Sequence, residues 1–164
     1  MVSILKKVEK GELRLEKKVT LVDTDISQKY GTLYEKGPGY NATIMELIVH
    51  MINESDNTAE RALKRQITLG ELIEAEIGLG LPIKQGVDIS YFFSPKDYGN
   101  ILRSLYYSGY LRRQFSQLAL SVMADTRFDT GVPAGVPPDI KVAHKIGIYT
   151  SEGVYHDCGI IYHP

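Results

Sequence analysis

The sequence contains no tryptophan and a single cysteine, Cys158. One thiol cannot close an internal disulfide, and it cannot build a cysteine-ligated metal site. Cys158 lies in the apolar stretch Cys158-Gly159-Ile160-Ile161, where it reads as a small buried hydrophobe. An excess of charge of one sign is also missing. The 19 basic and 20 acidic side chains leave a net charge of −1, so there is no basic surplus to neutralise a phosphate backbone. This argues against nucleic acid as a partner. No apolar run approaches the ~18–20 residues that a membrane span needs, so no transmembrane segment is expected. The opening Met1-Val2-Ser3-Ile4-Leu5-Lys6-Lys7 has neither the apolar core nor the cleavage site of an export signal. His50, His144, His156 and His163 are scattered and suggest no metal site. His144 and His156 read as strand residues with ordinary partners, with His156-Asp157 near His144 as a pairing across a hairpin.

What is present is enough for a core. With 164 residues, 43% of them hydrophobic, the chain suits one domain over 1–164. Residues 2–10 read as the last turns of an amphipathic helix, with Ile4, Leu5 and Val8 on one face and Gly11 as the stop. Lys17 to Val22 reads as a short extended piece, and 31–41, rich in glycine around Pro38, as a loop. Thr43 is a candidate N-cap for a helix over 44–53, whose apolar residues Ile44, Leu47, Ile48, Met51 and Ile52 repeat at helical spacing. Asn57 or Thr58 opens the next helix, and another spans Leu69 to Ile77. Glu71, Glu74 and Glu76 read as the exposed face of that helix. Ser94-Pro95-Lys96-Asp97 combines a capping serine, proline at the first position and an early acid, so it marks a further helix start. One more helix follows over Arg112 to Met123.

The pattern changes after the Gly/Pro-rich stretch from Thr130 to Pro138. Val142 to Tyr149 and Val154 to Tyr162 read as strands joined by the turn Thr150-Ser151-Glu152-Gly153. The fold class expected is therefore α+β: a mostly helical part over 12–138 and an antiparallel hairpin over 139–164. A lone hairpin is marginal in water and wants further strands beside it. The sequence accordingly reads as cut at both ends, in mid-helix at the start and before the sheet is complete at the finish.

Two constellations carry chemistry. In Glu54-Ser55-Asp56-Asn57-Thr58-Ala59, a helix junction can aim a hydroxyl and an amide into one cleft while the intervening Asp turns inward to hold the loop. Taken alone, the same residues serve equally as plain helix caps. In His144-Lys145-Ile146-Gly147, a lysine within an apolar strand either projects into a site or guards an edge strand. Gly147 leaves room for a ligand backbone to approach.

In this order, and 90 residues apart, the Ser-Asp-Asn and Lys-x-Gly triplets resemble two of the three motifs of class A β-lactamases and penicillin-binding proteins. Thr43-Ile44-Met45-Glu46-Leu47, Phe93-Ser94-Pro95-Lys96-Asp97-Tyr98 and Gly153-Val154-Tyr155-His156-Asp157-Cys158-Gly159-Ile160 resemble neighbouring family segments, so the likeness covers nearly the whole chain. It implies a partial β-lactamase/transpeptidase-like fold: a helical subdomain plus an incomplete antiparallel sheet. It also implies roles. Ser55 would relay a proton to the leaving nitrogen, and Lys145 would attract the substrate carboxylate and assist Ser55. Asn57 would bind the substrate's side-chain amide, and the Ile148 N–H would be one oxyanion donor. Gly147 would let the ligand close in, and Tyr30 would form an aromatic wall. The substrates implied are a β-lactam or a peptidoglycan stem peptide, acted on outside the cytoplasm or in the cell envelope by a longer parent. No cofactor is implied.

Three departures from the family stand out. The nucleophile motif Ser-x-x-Lys is matched only by Ser3-Ile4-Leu5-Lys6, but Lys6 lies five residues before Gly11, at the wrong end of its helix. The family's motif would fall several residues before Met1. The deacylating Glu is missing too, because Leu81 to Phe93 holds no Glu and only one acid, Asp88. Ile146 replaces the usual Thr or Ser, which removes a hydrogen bond to a charged group worth about 1.5–3 kcal/mol. The readings left are a serine hydrolase domain acting on β-lactams through an acyl-enzyme in its parent, a D,D-peptidase-like relative, and a non-catalytic binding relic. A helical interaction module with no ligand would leave both motifs unexplained.

Overall fold

A computed structural model describes residues 1–82, 93–150 and 153–163. Among the described residues, six α-helices and four strands run in the order α1 (Val2–Glu9), β1 (Lys18–Thr20), β2 (Asn41–Thr43), α2 (Ile44–Asn53), α3 (Asn57–Lys64), α4 (Leu69–Gly78), α5 (Pro95–Tyr106), α6 (Arg113–Ala124), β3 (Val142–Tyr149) and β4 (Val154–Ile161). The strands form two separate antiparallel pairs, β1 with β2 and β3 with β4. This is the mixed helix-and-hairpin class expected.

Local chemistry sets most of the helix starts. Thr43 Oγ1 accepts from the Glu46 amide at 3.1 Å, and Glu46 accepts from the Thr43 amide at 2.6 Å. The same reciprocal cap recurs at Thr68/Glu71 and Ser94/Asp97. The fully covered side chains of Leu47 and Ile48 make α2 the centre of the core, with Leu5 of α1, Leu105 of α5, Leu120 of α6 and Ala143 of β3 packed into the same cluster. Helix α6 lies against β3, and α5 against β4. The hairpin register pairs His144 with Gly159, Lys145 with Cys158 and Ile146 with Asp157.

The structure corrects two readings. The Gly/Pro-rich loop 31–41 contains a 3-10 turn at Leu33–Lys36, and its last residue already belongs to β2. Three residues are too short for an alternation signal, so the pairing of Asn41–Thr43 with Lys18–Thr20 is a tertiary choice. Glu76 is not exposed. It is 4% accessible and its Oε2 has no hydrogen-bond partner among the described residues. The reason is helical period: Leu72, Glu76 and Leu79 fall at i, i+4 and i+7 and share the inward stripe. Of the other two, Glu71 pairs with Lys7 at 2.6 Å and Glu74 with Lys10 at 2.9 Å, which ties α4 to α1. The segment 83–92, which holds Asp88, and the turn residues Ser151 and Glu152 lie outside the described residues.

Burial pushes the Glu76 carboxyl above its ordinary value. The folded chain therefore holds this proton more tightly than the unfolded one, so its contribution to stability falls as pH rises through the carboxylate range. Glu76→Gln is expected to raise stability at pH 7 and to leave it nearly unchanged near pH 3, as read by urea denaturation at the two pH values.

Candidate active site

The junction between α2 and α3 begins with a backbone device. The amides of Glu54 and Asp56 both donate to the His50 carbonyl, at 3.1 and 3.2 Å. Between them Ser55 adopts a left-handed conformation with φ +52°. A non-glycine residue rarely takes this conformation without support. The support comes from Asp56, whose carboxylate is 1% exposed and accepts from the Ala59 amide at the start of α3 and from the Leu33 amide, each at 2.8 Å. Gly31 makes room for it. A Cβ there would fall 2.0 Å from Asp56 Oδ2, and its φ of +80° suits glycine.

Lys145 arrives from β3. Its Nζ donates to Ser55 Oγ and, at 2.8 Å, to the Ile146 carbonyl. The Phe128 ring centre lies 5.9 Å from the same nitrogen. Burial pulls the Lys145 ammonium down to about 8, against the opposing pull of Asp157 and Glu60. The Asn57 amide donates to the Tyr30 carbonyl at 3.3 Å, which sets Tyr30 beside the junction. One residue earlier, Lys29 Nζ lies 5.4 Å from the ring centre of Tyr149 on β3. Residues 29–31 thus run between the serine junction and the lysine strand. Gly147 and Ile148 continue β3 as exposed residues opposite His156 and Tyr155. A Cβ on Gly147 would meet only His156, at 3.9 Å, so packing within the protein makes no demand for glycine there.

The structure therefore brings Ser55 and Lys145 into contact, with Asn57 and Tyr30 on one side of them and Gly147 and Ile148 along the strand. Lys6, of Ser3-Ile4-Leu5-Lys6, is engaged elsewhere. It bonds Glu9 at 2.6 Å and the Tyr110 carbonyl at 2.8 Å. His50, Glu54 and Asp56 bring potential metal-ligand atoms within 4.8 Å of one another. The acids of that cluster are already committed, however: Asp56 to two backbone amides, Glu54 to Thr32 at 2.9 Å and to Arg127 at 2.9 Å.

Sequence reasoning missed the loop over 125–132, which has no periodicity and no motif. Asn53 Nδ2 donates to the Asp125 carbonyl at 2.7 Å, and the Arg127 amide to the Asn53 carbonyl at 3.4 Å. Farther along, the Phe128 carbonyl meets His144 Nε2 at 3.0 Å, and the Val132 amide donates to Asp157 at 2.8 Å. The only hint in the sequence was the adjacency of His156-Asp157 to His144. It is Asp157, at 2.8 Å, that pairs with the His144 ring.

A half-buried lysine on a strand thus meets a left-handed serine at a helix junction. The chain belongs to the beta-lactamase enzyme family, whose model matches residues 1–164. Among solved structures, it superposes with TM-score 0.85 on a substituted PBP-A captured as an acyl-enzyme complex with penicillin G, at 25% identity. That match covers 99% of this chain and 64% of PBP-A. A β-lactamase from Sphaerobacter thermophilus gives TM-score 0.86 at 24% identity, covering 98% of this chain and 64% of that one. An ancestral class A β-lactamase gives 0.82 at 22%, covering 99% and 67%. The chain thus spans about two thirds of the length of these proteins.

Asp56→Ala is expected to cost about 2–4 kcal/mol, since it removes a helix cap and leaves the buried Leu33 amide unpaired. Chemical denaturation with both native and variant chains checks this.

Proposed function

We propose that Ser55, Asn57 and Lys145, with the strand backbone at Gly147 and Ile148 and the Tyr30 wall, form the ligand cleft of a β-lactamase-like serine hydrolase. In this reading the β-lactam amide is opened through an acyl-enzyme on the serine of a Ser-x-x-Lys motif, and neither Ser3 nor Ser55 is that nucleophile. The observation that carries the reading is the hydrogen bond from Lys145 to Ser55, made between two motifs 90 residues apart. Lys145 supplies the positive charge that draws the ligand carboxylate. Asn57, whose side-chain amide makes no hydrogen bond among the described residues, is left to meet an acylamino group. The Ile148 N–H serves as one oxyanion donor, and Ser55 passes a proton to the departing nitrogen. The chemistry recruits only side chains and backbone, with no cofactor, and export of the parent to the cell envelope goes with the reading.

One observation favours a D,D-peptidase-like parent that acts on peptidoglycan stem peptides. No Glu occurs between Leu81 and Phe93 to activate a deacylating water. Such a hydrolase acylates and then releases slowly.

Incubation with a fluorescent penicillin tests the reading. Reversible, competable binding is expected, with no covalent adduct in intact-mass spectra, and an adduct on Ser3 or Ser55 overturns it. Lys145→Ala is expected to weaken binding by about ten- to a hundredfold, the loss of one charged hydrogen bond. Gly147→Ala is expected to leave the melting temperature in place and to weaken binding all the same. Because the Lys145 amine titrates at about 8, affinity for the anionic ligand falls as pH rises through that value. Stability moves the other way. Between about pH 8 and the ordinary lysine range the unfolded chain binds the extra proton, so this group's contribution rises with pH.

A further inference from the structure

His144 is 1% exposed and precedes Lys145 on β3. Its ring is held at both nitrogens, Nδ1 at 2.8 Å from Asp157 Oδ1 and Nε2 at 3.0 Å from the Phe128 carbonyl. A carbonyl oxygen only accepts. The ring therefore donates from Nε2 to the Phe128 carbonyl, while Nδ1 is held against the Asp157 carboxyl group, so neither nitrogen is left open. The second oxygen of Asp157 accepts from the Val132 amide at 2.8 Å.

Glycines fit this pair closely. Gly159 faces His144 across the hairpin, and a Cβ there would lie 2.6 Å from His144 Cβ. Gly131 has φ +71°, and a Cβ there would lie 2.3 Å from Asp157 Oδ2.

The same loop is tied at its other end to the residues just before Ser55. Asn53 holds Asp125 and Arg127, and Arg127 Nη2 pairs with Glu54 at 2.9 Å. One end is therefore fixed beside Ser55 and the other beside Lys145, and between them the Phe128 ring covers the Lys145 ammonium.

We propose that His144 and Asp157 form a clasp that fastens the 125–132 loop to the strand bearing Lys145 and so holds Lys145 in place on Ser55. His144 and Asp157 are positioning residues, since the structure gives neither a contact with Ser55. The proposal rests on Ser55 and Lys145 being the working pair of the cleft, and its test uses no ligand, so it stands or falls apart from penicillin binding. The titratable groups around the clasp are Lys145 beside it on β3, Cys158 on β4 and Tyr98 on α5. Burial raises the Cys158 thiol, and Asp157 adds to this. Burial also pushes Tyr98 up to about 12, with smaller contributions from Cys158 and Asp157. Both are neutral at pH 7, which leaves Asp157 as the partner of the ring.

The test has two readouts on the full chain. In the unsubstituted protein, nitrogen–proton NMR of the His144 ring is expected to show an Nε2–H held on the Phe128 carbonyl and slow to exchange, and a ring N–H that exchanges freely with solvent overturns the clasp. The second readout is the titration of the Lys145 amine, followed by NMR of the labelled lysine. Two variants open the clasp at different points, His144→Asn at the ring and Gly131→Ala at the exposed loop. Each is expected to release the loop, admit water to Lys145 and raise its titration midpoint by about one pH unit. Leu63→Ala, a core truncation in α3 away from the loop, lowers stability and is expected to leave the Lys145 midpoint where it was. If either clasp variant melts cooperatively and Lys145 still titrates as in the unsubstituted chain, the positioning role is wrong. If neither variant folds, the ring measurement alone decides.

Discussion

A carboxylate removed from water is tolerable only when its oxygens are satisfied by donors that cannot wander. Asp56 meets that condition with two backbone amides, one from the helix it starts and one from a turn 23 residues earlier. The rest of the cleft depends on this arrangement. It fixes where α3 begins, it pins the Leu33 turn, and through Gly31 it brings Tyr30 up to the junction. Ser55 and Asn57 are the two neighbours of this anchored residue. Their positions follow from an interaction that neither of them makes.

The opposite wall is built on different physics. Lys145 is presented by a strand whose early residues are buried and whose later ones are open, so the charge sits where the protein gives way to solvent. Desolvation lowers its proton affinity, while Asp157 and Glu60 pull the other way. A cation in such a place is held by geometry more than by a salt bridge, through a serine hydroxyl, a carbonyl and an aromatic ring.

How much of this was legible depended on how local the cause was. Reciprocal caps at Thr43/Glu46 and Ser94/Asp97, and the apolar repeat from Ile44 to Ile52, lie within one or two turns of chain, so they could be read directly. The hairpin was readable for the same reason. The three-residue strand Asn41–Thr43 was not, because its identity lies in Lys18–Thr20. Glu76 misled because an acid on a helix is assumed to face water, although the period of Leu72 and Leu79 already placed it inward. In the candidate site, the two motifs singled out Ser55 and Lys145, which the fold brings into contact. The loop over 125–132 contributes mostly carbonyls and amides, which carry no sequence signature, and its importance appears only when both of its ends are traced.

The left-handed backbone at Ser55 has a consequence for how this cleft trades stability against chemistry. An L-residue in that region is less stable than glycine by about 1–2 kcal/mol. The turn would therefore be more robust with no side chain at all, and the hydroxyl that meets Lys145 is present at the expense of the fold around it. Ser55→Gly would both take away the hydroxyl that Lys145 meets and relax the backbone. A stability gain on removing this hydroxyl would mark Ser55 as a position whose residue serves the cleft and not the scaffold.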